Sequence, residues 1–275
     1  MMEIYYVNSK GEKIYFDRLP YLMLTDTNVF NYEWSYDIKN NNLYNIRRSL
    51  PTKDVSIVIT GKDYEDYKKN ILYLYETLDT DAINQTFGRL YFGDYYLQCF
   101  CAVSDKPDKY IETKRTTVKL TLVANDTTWV KEEITNYKWN EQETDPNGKG
   151  YPYDFSYDYK SSGGYTQVFN SDSFGDSDVI ITIYGYARYP EISIGDIVYQ
   201  LNYIVQEGEV CYINTKEKTI RLRKTDGTVL NLFRYRSTTY YMFSKVPTGK
   251  QPIYWNGNFN LSITLLSERG EPKWT

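Results

Sequence analysis

Residues 259–274 read FNLSITLLSERGEPKW. Phe259, Leu261, Ile263 and Leu265 recur at every second position, the period of a strand that buries one face. The alternation stops at Glu268, and the segment through Trp274 then carries two acids, two bases, Pro272 and Trp274. Chain ends ordinarily fray, whereas proline fixes the backbone and tryptophan has a large area to bury. This ending is therefore expected to be tied down.

Period-two patterns of the same kind run through most of the chain. Val55-Ile57-Ile59, Tyr95-Leu97-Cys99-Cys101-Val103, Val118-Leu120-Leu122, Val179-Ile181-Ile183 and Ile197-Tyr199-Leu201 each read as a strand. Phe30-Tyr32-Trp34-Tyr36, set against Asn31, Glu33, Ser35 and Asp37, reads as a half-buried strand with an aromatic face. Gly93-Asp94, Gly195-Asp196 and Asp226-Gly227 fit tight hairpins in which glycine supplies the positive φ. One segment departs from this period. From Asp63 to Leu78 the apolar positions Tyr67, Ile71, Leu74, Tyr75 and Leu78 share one helical face. Asp63 is placed to cap that helix, and Asp66 follows near its positive end. The expected fold is thus mainly antiparallel β, with a single substantial helix in the first half.

A chain of 275 residues suits two domains with cores of their own. The pattern dissolves between Trp139 and Ser177 into Asp, Asn, Gly, Ser and Tyr. This stretch is too aromatic for a free linker, because Tyr151, Tyr153, Phe155, Tyr157, Tyr159 and Tyr165 would expose much apolar area. It is read as a domain junction, with an N-terminal β-domain over 1–138 and an all-β domain over 139–275.

Composition narrows the function. The chain has 31 Tyr, 11 Phe and 5 Trp but no His. Tyrosine combines apolar area with a polar tip, which suits strands and interfaces that meet water before assembly. The absence of histidine removes the commonest general base, the usual partner of a nucleophilic Ser or Cys, and the commonest zinc ligand. Carboxylate-pair hydrolysis remains open, and Asp79/Asp81, Asp154/Asp158, Asp172/Asp176/Asp178 and Glu207/Glu209 are the pairs to weigh. Among 36 acids such pairs are expected by composition alone. Asp145-Pro146-Asn147-Gly148 lacks the later ligands of a calcium loop and reads as a turn.

With 36 acids against 32 bases the net charge is −4, which leaves no cation excess for sequence-reading nucleic-acid binding. Arg47-Arg48 and the bases between Lys216 and Lys224 read as solvated faces. Three cysteines make an odd count, and Cys99 and Cys101 read as small apolar side chains rather than a disulfide. The N-terminus shows no secretory apolar core, and no apolar run is long enough to span a bilayer. The expected setting is a reducing cytosol, left by cell lysis.

Two function classes fit these features. One is a structural, assembling protein. The other is a monomeric carbohydrate-binding sandwich that stacks aromatics on sugar faces, for which Trp255 beside Gly257 and Asn258, and the Tyr151–Tyr165 stretch, are candidates. A carboxylate-pair glycosidase stands behind both.

The motifs favour the first class. The ending matches an E-R-x-E-P-x-W pattern at Glu268, Arg269, Glu271, Pro272 and Trp274. Further stretches occur in order: Tyr32-Glu33-Trp34-Ser35-Tyr36; Gly88 through Leu97, including Tyr91; Tyr184-Gly185-Tyr186-Ala187 with Pro190; and Asn231-Leu232-Phe233 with Arg236. In these features the chain resembles the distal tail proteins of long-tailed phages over nearly its whole length. That resemblance implies a ring-forming N-terminal β-domain with one helix and a C-terminal galectin-like antiparallel β-sandwich. It implies a non-enzymatic virion protein of the tail tip, assembled in the host cytoplasm, without cofactor, metal or membrane. The implied partners are further copies of itself in a hexameric ring, the tail tube protein, a tail-associated fibre or lysin protein and a receptor-binding protein, with DNA passing through the centre. Some relatives carry an inserted carbohydrate-binding module, for which this chain has no room.

Overall fold

A computed structural model describes residues 3–25, 27–106, 114–139 and 165–273, with only the backbone of Tyr165 and Thr166. Trp274, the Asp145–Gly148 turn and the aromatics from Tyr151 to Tyr159 lie outside the described residues. The protein is mainly β. It divides into two compact units, Met1–Lys131 with Glu268–Thr275, and Glu132–Ser267. The division therefore falls at 131/132 rather than 138/139, and the closing residues count with the first unit rather than the second.

The first unit contains β1 (Ile4–Val7), β2 (Lys13–Tyr15), β3 (Asp17–Arg18), β4 (Tyr21–Met23), β5 (Trp34–Lys39) and β6 (Asn42–Arg48). There follow β7 (Thr52–Thr60), α1 (Tyr64–Asn84), β8 (Gly88–Phe92), β9 (Tyr95–Asp105), β10 (Arg115–Ala124) and the start of β11 (Trp129–Tyr137). Apart from β5 and β6, the strands through β10 pair antiparallel in the order β2-β1-β8-β9-β10-β7-β4-β3. Alternation on β7 and β10 places Val55, Ile57, Ile59, Val118, Leu120 and Leu122 in one core. Helix α1 adds Leu74 and Leu78 to that core, with Ile71 and Tyr75 packed at its edge. The Asp63 side chain caps the helix by accepting from the Asp66 N–H at 2.8 Å. The helix runs past Leu78 to Asn84, because Asp81 continues the buried face and Gln85 ends it in the left-handed region at φ 54°.

The second unit contains β12 (Tyr165–Ser171), β13 (Asp178–Tyr184), β14 (Ala187–Arg188), β15 (Glu191–Ile194), β16 (Ile197–Gln200) and β17 (Ile204–Val205). It continues with β18 (Val210–Asn214), β19 (Thr219–Arg223), β20 (Val229–Asn231), a 3-10 turn at Phe233–Tyr235, β21 (Gly249–Trp255) and β22 (Asn260–Arg269). Strands β20-β19-β18-β13-β22 form one antiparallel layer and β12-β21-β15-β16 another. Ile181, Ile213, Ile220 and Ile263 from the first layer share a core with Ile192, Tyr199, Ile253 and Trp255 from the second. This is a β-sandwich.

Two turns match the sequence reading. Gly93 at φ 56° joins β8 to β9, and Gly195 at φ 55° joins β15 to β16. Asp226-Gly227 instead sits in a longer loop, since Arg223 pairs with Val229 and Lys224 N–H donates to Thr228. Two expectations are corrected. Trp255 is buried, its indole N–H donating to the Phe259 carbonyl at 3.1 Å, so it presents no platform to a ligand. The strand around Trp34 is not half-buried: Tyr32, Trp34 and Tyr36 are exposed, while Ser35 and Asp37 are the more covered positions. Among the described residues no sheet covers its aromatic face, and period two alone does not reveal which face, if either, is covered.

Candidate assembly interface

The exposed pair β5–β6 forms a separate two-stranded ribbon in the first unit. Its tip is Asn40-Asn41, both with positive φ (51° and 59°), the pattern of a two-residue hairpin turn that asparagine tolerates. A register shift follows between Ser35 and Asp37, where Asn45 takes φ 54° and its side-chain amide donates to Asp37 at 2.7 Å. Trp34, Tyr36, Ile38, Leu43, Tyr44 and Ile46 all stand in solvent. Ile38 is 65% exposed, and Leu43 and Ile46 are 61% exposed. An isolated ribbon is marginal in water, and contiguous exposed apolar side chains of this kind mark a surface that meets another molecule.

The base of the ribbon is held firmly. Arg48 pairs in register with Trp34, and its guanidinium lies 4.5 Å from the Trp34 ring centroid and 5.2 Å from that of Tyr32. On its other side the guanidinium meets Gly270, where a Cβ would overlap it. Next along the chain, Lys53 is only 2% exposed, and its ammonium donates to the Asn31 carbonyl. Burial lowers the Lys53 pKa to about 8, with Glu271 acting in the opposite sense. Pro272 is buried beside these residues in sequence, while Glu268 and Arg269 end β22 half-buried. The structure thus brings together two motifs that are far apart in the chain, Trp34 with its neighbours and the Glu268–Pro272 ending. A groove of about 560 Å³ opens at the ribbon base, lined in part by Asn31, Tyr32, Arg48, Leu50 and Thr127.

Tyr91 belongs to a second surface of the first unit. Tyr15, Tyr5, Tyr91 and Tyr96 stand at registered positions on β2, β1, β8 and β9. Successive ring centroids are 5.4, 4.7 and 5.6 Å apart, and the central pair is stacked at 8°. Arg18 lies 4.2 Å from the Tyr15 ring, Lys13 5.3 Å from Tyr5 and Arg89 4.2 Å from Tyr96. The ladder is half-buried, and burial raises the pKa of the Tyr5 phenol.

The remaining singled-out residues serve local structure. Gly88 abuts the buried Tyr6 hydroxyl and Asp81 carboxylate, and a methyl there would overlap both. Gly185 takes φ +81° after β13, and the Asn231 side chain accepts from the Phe233 N–H at 2.9 Å to start the 3-10 turn. Asp81 was visible in sequence only as half of an acidic pair. Its burial against Tyr6, Ser9 and Thr86 comes from tertiary structure. The other described pairs also serve structure: Asp178 accepts from Thr215 at 2.7 Å and pairs with Lys245 at 3.2 Å, and Glu209 accepts from the Gln206 N–H at 2.9 Å. Among the described residues no cluster of three or more His, Cys, Asp or Glu is arranged to hold a metal.

Solved structures share this architecture. A chain of the phage P2 baseplate in its activated conformation with Ca superposes with a TM-score of 0.65 at 13% identity, covering 98% of this chain and 99% of that one. The SPP1 Dit protein, described as a paradigm of the hub adsorption apparatus in phages infecting Gram-positive bacteria, gives 0.59 at 10% identity over 97% and 99%. This chain has the fold of phage baseplate and Dit hub proteins. The p2 baseplate in its activated conformation with Sr repeats the likeness, with a TM-score of 0.65 and 13% identity over 99% and 100%. No protein-family model matches the sequence, and no curated protein matches it.

Proposed function

We propose that this chain is a structural hub subunit of a phage tail tip. Copies close head to tail into a ring with no catalytic role, which joins the tail tube protein on one side to a tail-associated fibre or lysin protein on the other, with DNA passing through the centre. The second unit, read as a galectin-like sandwich, faces outward and docks receptor-binding proteins. The observation that carries the reading is the β5–β6 ribbon, an exposed apolar arm in a fold shared with baseplate and hub proteins. A head-to-tail ring needs two different complementary patches on each copy. The ribbon supplies one, and the Tyr15-Tyr5-Tyr91-Tyr96 ladder is suited to the other. The net charge of −4 agrees with a conduit that does not retain DNA, since a basic bore would hold the phosphates.

The test is solution mass by light scattering over a concentration series. Six chains of 32.5 kDa make a particle of 6 × 32.5 = 195 kDa. The paired variant Ile38→Asp/Ile46→Asp alters exposed positions and should leave the fold intact while returning the chain to a monomer. A wild-type chain that stays at 32.5 kDa at all concentrations, alone and with purified tail tube protein, would overturn the reading.

A further inference from the structure

The second unit carries a cleft that the hub reading does not use. It lies at the end of β13, where the turn through Gly185 meets the turn through Gly257, and encloses about 370 Å³. That volume is within the usual range of small-ligand sites, about 300–1,000 Å³. Both glycines have positive φ, +81° and +84°. A Cβ on Gly185 would stand 3.8 Å from the Glu207 carboxylate, and one on Gly257 would stand 3.6 Å from the Phe259 ring. Both distances are ordinary van der Waals contacts, so it is the positive φ of the two turns, rather than lack of space, that favours glycine there.

The lining combines rings with hydrogen-bonding groups. Tyr184 and Tyr186 are 41% and 50% exposed. The Tyr184 hydroxyl shares a 3.2 Å hydrogen bond with Ser262, which fixes that ring, and the Tyr186 backbone N–H donates to Glu207 Oε2 at 3.1 Å, which holds the carboxylate at the cleft. Glu207 Oε1, the Arg188 guanidinium, the Asn258 amide and the Tyr186 hydroxyl make no hydrogen bond to the described residues. These groups offer donors and acceptors in pairs, beside rings with apolar faces.

We infer that this cleft binds a neutral saccharide. Adjacent sugar hydroxyls both donate and accept, which matches a carboxylate, a guanidinium and an amide, while the C–H face of the ring covers tyrosine. Charge argues against an anionic ligand, because the Glu207 carboxylate and the Arg188 guanidinium both line this small cleft. An apolar protein segment would leave the four polar groups dry and unpaired. The inference assigns a ligand to a different part of the chain from the assembly ribbon and does not depend on the ring.

The experiment is an array of uncharged oligosaccharides and bacterial wall polysaccharides probed with the full chain, each hit then titrated by calorimetry. The expected result is retention of at least one uncharged glycan, with Tyr186→Ala and Glu207→Gln each weakening it about tenfold. Tyr241→Ala, an exposed aromatic outside this cleft, should leave binding unchanged. Both cleft positions are exposed, so an unchanged melting temperature will show that the variants fold. Binding should also persist in Ile38→Asp/Ile46→Asp, which separates this result from the fate of the ring. An array with no uncharged hit, a preference for anionic glycans, capture of a protein in place of any glycan, or binding indifferent to both cleft variants would overturn the inference.

Discussion

Gly88→Ala tests the buried polar centre of the first unit. Tyr6 is fully buried, and its hydroxyl donates to Asp81 Oδ2 at 2.5 Å. Asp81 is also fully buried, and its Oδ1 accepts from the Ser9 N–H at 2.8 Å and from Thr86 Oγ1 at 3.2 Å. A methyl on residue 88 overlaps both partners of the 2.5 Å bond, and neither is the loose end of a flexible chain. Overpacking of this kind costs about 1–3 kcal/mol. Breaking a buried hydrogen bond to a charged group adds about 1.5–3 kcal/mol. Replacing glycine returns about 0.4–1 kcal/mol through the unfolded state. The net loss should be roughly 2–5 kcal/mol. Urea unfolding, followed by far-ultraviolet dichroism and tryptophan emission, measures it. The same substitution should cost at least ~1 kcal/mol less in a Tyr6→Phe background, where the hydroxyl is already gone. A loss below about 1 kcal/mol, or an equal loss in both backgrounds, would refute the argument that Gly88 is required by close approach.

Two further outcomes follow from buried ionisable groups. Lys53 has a folded pKa of about 8 against 10.5 for the free side chain, so between those values the unfolded chain binds more protons and stability rises with pH. Below pH 8 the full penalty is present, at most about 3 kcal/mol, and Lys53→Met should raise stability at pH 7 and flatten this rise; an unchanged slope in the variant would place the titration elsewhere. Burial pushes the Cys99 and Cys211 thiols up to about 12 and Cys101 up to about 11. A disulfide reagent at pH 8 should therefore label the native chain slowly and all three cysteines once it is unfolded, and rapid labelling of Cys99 or Cys211 would contradict their burial.

Some of this protein was legible in the sequence because the signals are local. Asp63 marks the helix start, since a side-chain cap needs only the next turn of backbone. Val55-Ile57-Ile59 and Leu261-Ile263-Leu265 mark buried strands, since alternate side chains of a strand must share a face. The Gly93 and Gly195 turns follow from the rarity of positive φ in other residues. The absence of histidine removed much of catalytic chemistry without any coordinates.

What tertiary structure alone decided concerns which surfaces are covered and which distant residues meet. Phe30-Tyr32-Trp34-Tyr36 alternates like a half-buried strand, yet only Phe30 packs against the core while the rings of Tyr32, Trp34 and Tyr36 are exposed, because whether a second layer covers a strand depends on the whole topology. Asn40-Asn41 was the local sign of the ribbon, a turn between two exposed strands. Trp255, adjacent to Gly257, turned inward, while Tyr184 and Tyr186 became the rings that face solvent at that end of the sandwich. Asp81 became a buried acceptor for Tyr6, and the Gly270–Glu271 ending came to lie against Arg48 and near Lys53. Sequence carries the period and the turn chemistry. Burial and long-range pairing depend on contacts between segments far apart in the chain, and those exist only once the chain has folded.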